Sequence, residues 1–312
     1  MKEYVLDYYP KFKCVAGKCT HTCCAGWEMH IDEQSLCEYK KDTSSFSQAL
    51  KRGINFKKSK FKADKFKRCA FLNDDGLCEI IINLGEKSLC QVCRDHPRFR
   101  SFFSDRIEMG LGFCCEEATR IILTHKDKIT PVLVNDDLRP RELDFNEQNV
   151  MKFRESALAV LQDRTLDINV RLNNLLRLSN ACVCQKDLKK IIKAFLSFER
   201  LDKAWTKRLK LVKKAFNLTT PNNLSHYCEQ FLANSLYRHL ADAEDTMSVR
   251  ARTIACVVSW WVINSVIELE KNENQDLLSV VIDVVRAYSA EVEYSQKNLN
   301  KLFSLCYNFI KL

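Results

Sequence analysis

The seven glycines of this 312-residue chain, at positions 17, 26, 53, 76, 85, 110 and 112, all fall before residue 113. Residues 113–312 lack the one residue that turns freely through left-handed backbone space, and the whole chain holds only five prolines. A long stretch so poor in turn-formers, with apolar residues returning every three or four positions, is predicted to be helical. Leu188, Ile191, Ile192, Phe195 and Leu196 follow this period, with Asp187 placed to cap the start. Leu277, Val281, Val284 and Tyr288 form a second stripe, and Leu299, Leu302, Phe303, Cys306, Phe309 and Ile310 a third. The run TIACVVSWWVINSVI, residues 253–267, is shorter than the ~20 residues that span a bilayer and reads as a buried core helix.

The cysteines have the opposite distribution to that of a structural framework. Of the 16, eleven (14, 19, 23, 24, 37, 69, 78, 90, 93, 114 and 115) precede residue 116. A chain of this length buries enough core to need no disulfide staples. The start, MKEYVLDYYPKFK, carries Lys2, Glu3 and Asp7, so no signal peptide is expected and the thiols are expected to stay reduced in the cytoplasm. The early cysteines come in groups: Cys14, Cys19, Cys23 and Cys24; Cys69 and Cys78; Cys90 and Cys93; Cys114 and Cys115. Such grouping lets short turns present several thiolates to one ion or cluster. Zinc favours two tidy CxxC pairs, whereas only Cys90 and Cys93 have that spacing, which favours an iron–sulfur cluster with zinc as the alternative metal. Cys37, Cys228, Cys256 and Cys306 read as packing residues, and Cys182 with Cys184 as a weaker metal candidate.

The formal net charge is +9, and residues 51–68 hold nine basic residues against Asp64, interleaved with Phe56, Phe61 and Phe66. That run suits an anionic surface, but no base-reading motif accompanies it, so nucleic acid is not expected as a partner and a solvated face is the simpler reading. The fold class expected is mainly α, with an irregular cysteine-rich metal-binding part over residues 1–120 packed on a helical bundle over 121–312, the two folding as one unit.

The runs KFKCVAGKCTHTCCAGWEMHID, RCAFLNDDGLCEI, LGEKSLCQVCRDHPR and LGFCCEEATRIIL resemble the bacterial flagellin lysine-N-methylase family. The resemblance continues through FRESALAVLQDRTLDINVRLNNLL and EQFLANSLYRHLADA. It implies a cytoplasmic enzyme that moves a methyl group from S-adenosylmethionine to surface lysine ε-amines of flagellin and depends on a 4Fe-4S cluster, with peripheral membrane association and homo-oligomer formation among the family's traits. By position, it implies cluster ligands drawn from Cys14, Cys19, Cys23, Cys24, Cys69, Cys78, Cys90 and Cys93, with Cys114 at the family's late cysteine. Cys115 stands where the family usually has proline. The reading from a different class is a non-catalytic zinc- or iron–sulfur-binding adaptor.

No GxGxxG occurs, and Gly110–Leu111–Gly112 reads as a turn. Cys19 and Cys23 begin a CxxxCxxC pattern that Gly26 breaks, so both a polar and a redox route of methyl transfer remain open. His21, His30 and His96 are candidate metal or proton partners, Trp27 a candidate shield or packing residue, Arg94 a candidate carboxylate partner, and Glu116 and Glu117 candidate bases.

Overall fold

Aspartates start most of the helices that the glycine-free stretch predicts. The computed structural model describes residues 1–65, 67–136 and 142–311; Phe66 of the basic run lies outside the described residues. The chain divides into two compact units, one of Met1–Phe12, Phe99–Cys114 and Ala118–Leu312, the other of Lys13–Arg98 and Cys115–Glu117. Residues 1–12 and 99–114, which the sequence reading groups with the cysteines, count with the helical unit.

That unit opens with a small sheet. Strand β1 (Lys2–Leu6) is the sheet's first, and the second unit supplies the short pair β2 (Ile54–Asn55) and β3 (Lys60–Phe61). The main sheet then takes β4 (Arg98–Phe102), β5 (Arg106–Leu111) and β6 (Pro131–Asn135), in the order β4-β5-β1-β6. β1 runs parallel to β5, with Lys2 opposite Arg106 and Val5 opposite Met109, and antiparallel to β6. Gly110 is therefore a strand residue and not part of a turn: the Phe99 ring stands 2.5 Å from where its Cβ would be.

Four short helices belong to the cysteine-rich unit: α1 (Glu33–Lys41), α2 (Ser47–Gly53), α3 (Glu79–Leu84) and α4 (Gln91–Asp95). Helix α5 (Glu116–Leu123) carries the chain into the helical unit. There follow α6 (Phe145–Leu161), α7 (Ile168–Leu178), α8 (Leu188–Leu196), α9 (Lys203–Ala215), α10 (Ser225–Leu240), α11 (Thr246–Glu270), α12 (Leu277–Tyr288) and α13 (Gln296–Tyr307). Asp144, Asp167, Asp202, Asp245, Asp276 and Ser295 each accept a backbone N–H in the first turn of the helix they precede. Asp187 does not cap α8. Its carboxylate accepts the Cys184 N–H (2.9 Å) and the Cys184 thiol (3.1 Å), so it closes the turn before the helix. Cys184 is thus a turn residue, and Cys182 beside it is exposed. Without glycine, α7 ends on Asn180 in the left-handed conformation (φ 50°), where the Ala181 N–H reaches back to the Leu176 carbonyl.

Helix α11 is the axis of the helical unit, packing against α7, α9, α10, α12 and α13. At 25 residues it is long and apolar enough to cross a membrane by length and composition, yet 83% of that apolar window is buried inside the protein. Trp260 is fully buried on it and donates its indole N–H to the Thr220 hydroxyl (2.9 Å). The apolar stripes of α8, α12 and α13 face the core, and Cys228, Cys256 and Cys306 are buried within it. The charges taken into this interior are paired: Arg154 with Glu108, and Arg164 and Arg171 with the two oxygens of Glu229.

Candidate metal centre

The cysteine-rich unit has a small core of its own. Met29, Ile31, Leu36, Tyr39, Phe46, Leu50, Ile54, Phe61, Phe71 and Ile80 pack with Cys69 and Cys90, and Cys24, Cys78 and Cys93 close against them. Of the three phenylalanines in the basic run, Phe61 is thus a core anchor and Phe56 a half-buried one, with Lys40 over its ring. Lys51, Arg52, Lys57, Lys58, Lys62, Lys65 and Lys67 face solvent. The ring of Phe71 lies 2.4 Å from where a Cβ on Gly53 would be, so that glycine is required by close approach.

Backbone hydrogen bonds bring together cysteines that are far apart in sequence. The Cys69 N–H donates to the Cys24 carbonyl (2.8 Å), and Leu72 bridges Cys78. Cys90 precedes α4, and its carbonyl accepts from the N–H groups of Cys93 and Arg94 (3.0 Å each). Asp32 locates this turn: one oxygen caps α1 through the Ser35 N–H (2.9 Å), and the other accepts the Gln91 N–H (2.8 Å). Cys24, Cys69, Cys78, Cys90 and Cys93 therefore form one neighbourhood, with Cys23 joined to it through a hydrogen bond to Cys24.

A second neighbourhood lies around Glu116. Its carboxylate accepts the Thr20 N–H (3.0 Å), the Thr20 hydroxyl (2.7 Å) and the His21 N–H (3.1 Å). This clamp brings Cys19, the residue before Thr20, to Cys115, the residue before Glu116. Cys14 and Cys23 lie close enough to Cys19 to act on its thiol. Cys114 counts with the helical unit and is hydrogen-bonded to the half-exposed Tyr294.

The thiols resist ionisation as they stand. Burial pushes Cys69 up to about 11 and raises Cys78, with neighbouring thiols adding to both. Burial, then Glu116 and the charges of Cys115, Cys14 and Cys23, push Cys19 up to about 12, so Cys23 stands near both thiol groups. Cys23 is raised by its hydrogen bond with Cys24 and by burial, against which His96 acts from the same side chain contact. Cys90 is the exception: the Cys93 thiol donates to it and lowers it, and Cys93 is raised in consequence. Thiols raised in this way ionise more readily where a positive charge stands beside them.

The remaining candidates divide clearly. His96 is hydrogen-bonded to Cys23 and stacks on Trp27 with ring centroids 6.2 Å apart, while the Trp27 indole donates to the Cys23 carbonyl (2.9 Å). Trp27 thus covers the first thiol group from an exposed position. His30 is exposed beside Glu28, and Arg94 is exposed with its charge favouring the Cys90 thiolate. Glu116 is held below the ordinary carboxylate range: burial raises it, but the Thr20 and His21 hydrogen bonds outweigh burial. Cys37 is exposed on α1 rather than packed. Among the described residues, no three His, Cys, Asp or Glu side chains already stand in metal-holding geometry. The donor set fits a thiophilic centre in kind and in neighbourhood, and closing it on an ion requires the side chains to turn inward.

No family model and no solved structure matches the chain. Over 138 residues, 41% of its length, the chain is 28% identical to a lysine-N-methylase of Salmonella typhimurium and 29% identical to one of Salmonella choleraesuis. It is similar to lysine-N-methylases over that part. The flagellar biosynthetic protein FliU of Salmonella muenchen is 28% identical over 138 residues, which are 82% of that protein. The chain spans about a third of the length of the two lysine-N-methylases, 34% in each case.

Proposed function

We propose that this chain is a protein-lysine N-methyltransferase that uses S-adenosylmethionine to methylate surface lysines of flagellin, and that the thiols of Cys23, Cys24, Cys69, Cys78, Cys90 and Cys93 supply the ligands of an iron–sulfur cluster. The observation that carries the reading is the similarity to lysine-N-methylases. The convergence of five cysteines from three separate segments supports the cluster. In this reading the protein works in the cytoplasm, where thiols stay reduced.

In the polar route, the lysine ammonium, with an ordinary pKa of about 10.4, loses its proton to a base, and the neutral amine attacks the sulfonium methyl in line. The new N–C bond forms as the S–C bond breaks, and the sulfonium leaves as a neutral thioether. A bound cluster would supply positive charge and an electron-transfer centre beside the thiols. This chain's residues do the holding: Asp32 fixes the Cys90 turn, and Trp27 and His96 cover Cys23. Anaerobically prepared protein, assayed for iron and incubated with flagellin and methyl-labelled donor, is expected to label flagellin. Iron-loaded, folded protein that transfers no label would refute the enzyme reading. It would favour the adaptor reading, which the burial of Cys69 and Cys90 within the unit's own core also supports, because a metal there would act as a staple.

A further inference from the structure

The basic run of residues 51–68 is folded around one hairpin of the cysteine-rich unit. β2 and β3 pair Ile54 with Phe61 and Asn55 with Lys60, and the Lys62 N–H continues the pairing to the Gly53 carbonyl (2.8 Å). Ile54 and Phe61 are buried, and side chains alternate along a strand, so Lys60 and Lys62, which flank Phe61, point away from the core. Lys57 and Lys58 lie in the turn between the strands, and Lys51 and Arg52 end α2 just before β2. Lys51, Arg52, Lys57, Lys58, Lys62 and Lys67 are exposed, and among the described residues none of the six is paired with a carboxylate, whereas Lys60 is paired with Glu28. The same backbone carries the thiols: the Ala70 N–H donates to the Lys62 carbonyl (2.9 Å), the Gly26 N–H to the Lys67 carbonyl (3.0 Å), and the Cys69 N–H to the Cys24 carbonyl between them.

Unpaired cations held on one hairpin repel one another, and an anionic surface relieves that repulsion. The aromatic side chains determine which kind. Single-stranded nucleic acid is held by exposed rings on which bases stack, and a membrane surface by apolar side chains that enter it beside the basic ones. Phe56 and Phe61 do neither, since both pack against the unit's core. The hairpin thus offers charge without a stacking or inserting ring, as the polar rim of a protein–protein interface does. We propose that this hairpin docks a carboxylate-bearing face of the protein substrate and so brings that substrate to the unit that holds the thiols. The identity of the partner rests on the methyltransferase reading; its chemistry, an acidic protein face, rests on the hairpin.

The test measures binding of flagellin to the full-length protein, prepared anaerobically, from low salt up to about 1 M, where the screening length falls to ~3 Å. Lys57→Gln, Lys58→Gln and Lys62→Gln combined are expected to weaken binding about tenfold at low salt and to leave it unchanged at high salt. The triple variant with arginine at the same positions is expected to bind as wild type does, which separates charge from loss of folding. With labelled donor, the glutamine variant is expected to raise KM about tenfold and to keep kcat. Equal binding of flagellin by wild type and the glutamine variant at low salt would overturn the proposal, whether or not label is transferred. So would a variant that loses affinity only for phosphatidylserine vesicles, which would make the partner a lipid surface. Salt-sensitive binding that the variant loses, with no label transferred by either protein, would refute the methyltransferase reading and leave the docking hairpin standing.

Discussion

The helical unit and the cysteine-rich unit are held by different means. The first buries Trp205, Trp260, Tyr288, Phe195 and Phe231 completely and starts its helices with aspartate caps, so apolar area and local hydrogen bonds suffice. The second has short helices, a two-residue strand pair and a core in which thiols occupy places that larger side chains fill elsewhere. Small cores of this kind are marginal without a staple. The comparison teaches that the cysteines are gathered where the apolar core is smallest and scattered where it is largest.

The sharpest way to break this contrast is Trp260→Ala. Loss of a fully buried indole and its bond to Thr220 is expected to destabilise the helical unit by about 3–5 kcal/mol, read as a lower denaturant midpoint by far-ultraviolet circular dichroism. Metal content should be unaffected until the unit unfolds. Chelation is the converse: stripping metal is expected to remove hydrogen-exchange protection from residues 24–93 while α10 and α11 keep theirs. Equal loss in both units would show that they do not differ in this way.

Acidity gives a smaller, graded effect. In metal-free protein, Cys69 titrates above the ordinary thiol value of 9.0, at about 11, so its contribution to folding is present below about pH 9 and is lost as pH rises through about 11. Metal binding has the opposite sign, because thiolates are the ligands: affinity is expected to fall as pH falls, with proton release measurable in weakly buffered titrations. The smallest effect is expected for Asp32→Ala, which frees the Ser35 and Gln91 amides at a cost of about 1 kcal/mol. Its more telling readout is a weakened inner centre, since Asp32 locates Cys90.

Much of the helical unit was legible because helix period and capping are local. Val281, Val284 and Tyr288 are buried as their spacing predicts, and so are Leu302, Phe303 and Cys306. The sheet was not legible, since pairing β1 with β5 joins residues about a hundred positions apart and no local pattern encodes that register. Gly110 looked like a turn for the same reason, its meaning lying in the Phe99 ring above it. Asp187 was misread because a helix amide and the Cys184 turn compete for one carboxylate, and the turn won. At the thiols, spacing grouped the cysteines by chain order, whereas hydrogen bonds group Cys24 with Cys69 and draw Thr20 to Glu116.

From residue order alone came the helical character of residues 113–312 and the concentration of sulfur ahead of them, because backbone freedom and apolar period act over a few positions. Folding in three dimensions gathered that sulfur from separate stretches of chain, moved residues 1–12 and 99–114 into the helical unit, and drew Thr20 to Glu116. Each of these depends on groups brought within about 3 Å from distant parts of the chain, and hydrogen-bond geometry at that range has no counterpart in sequence spacing.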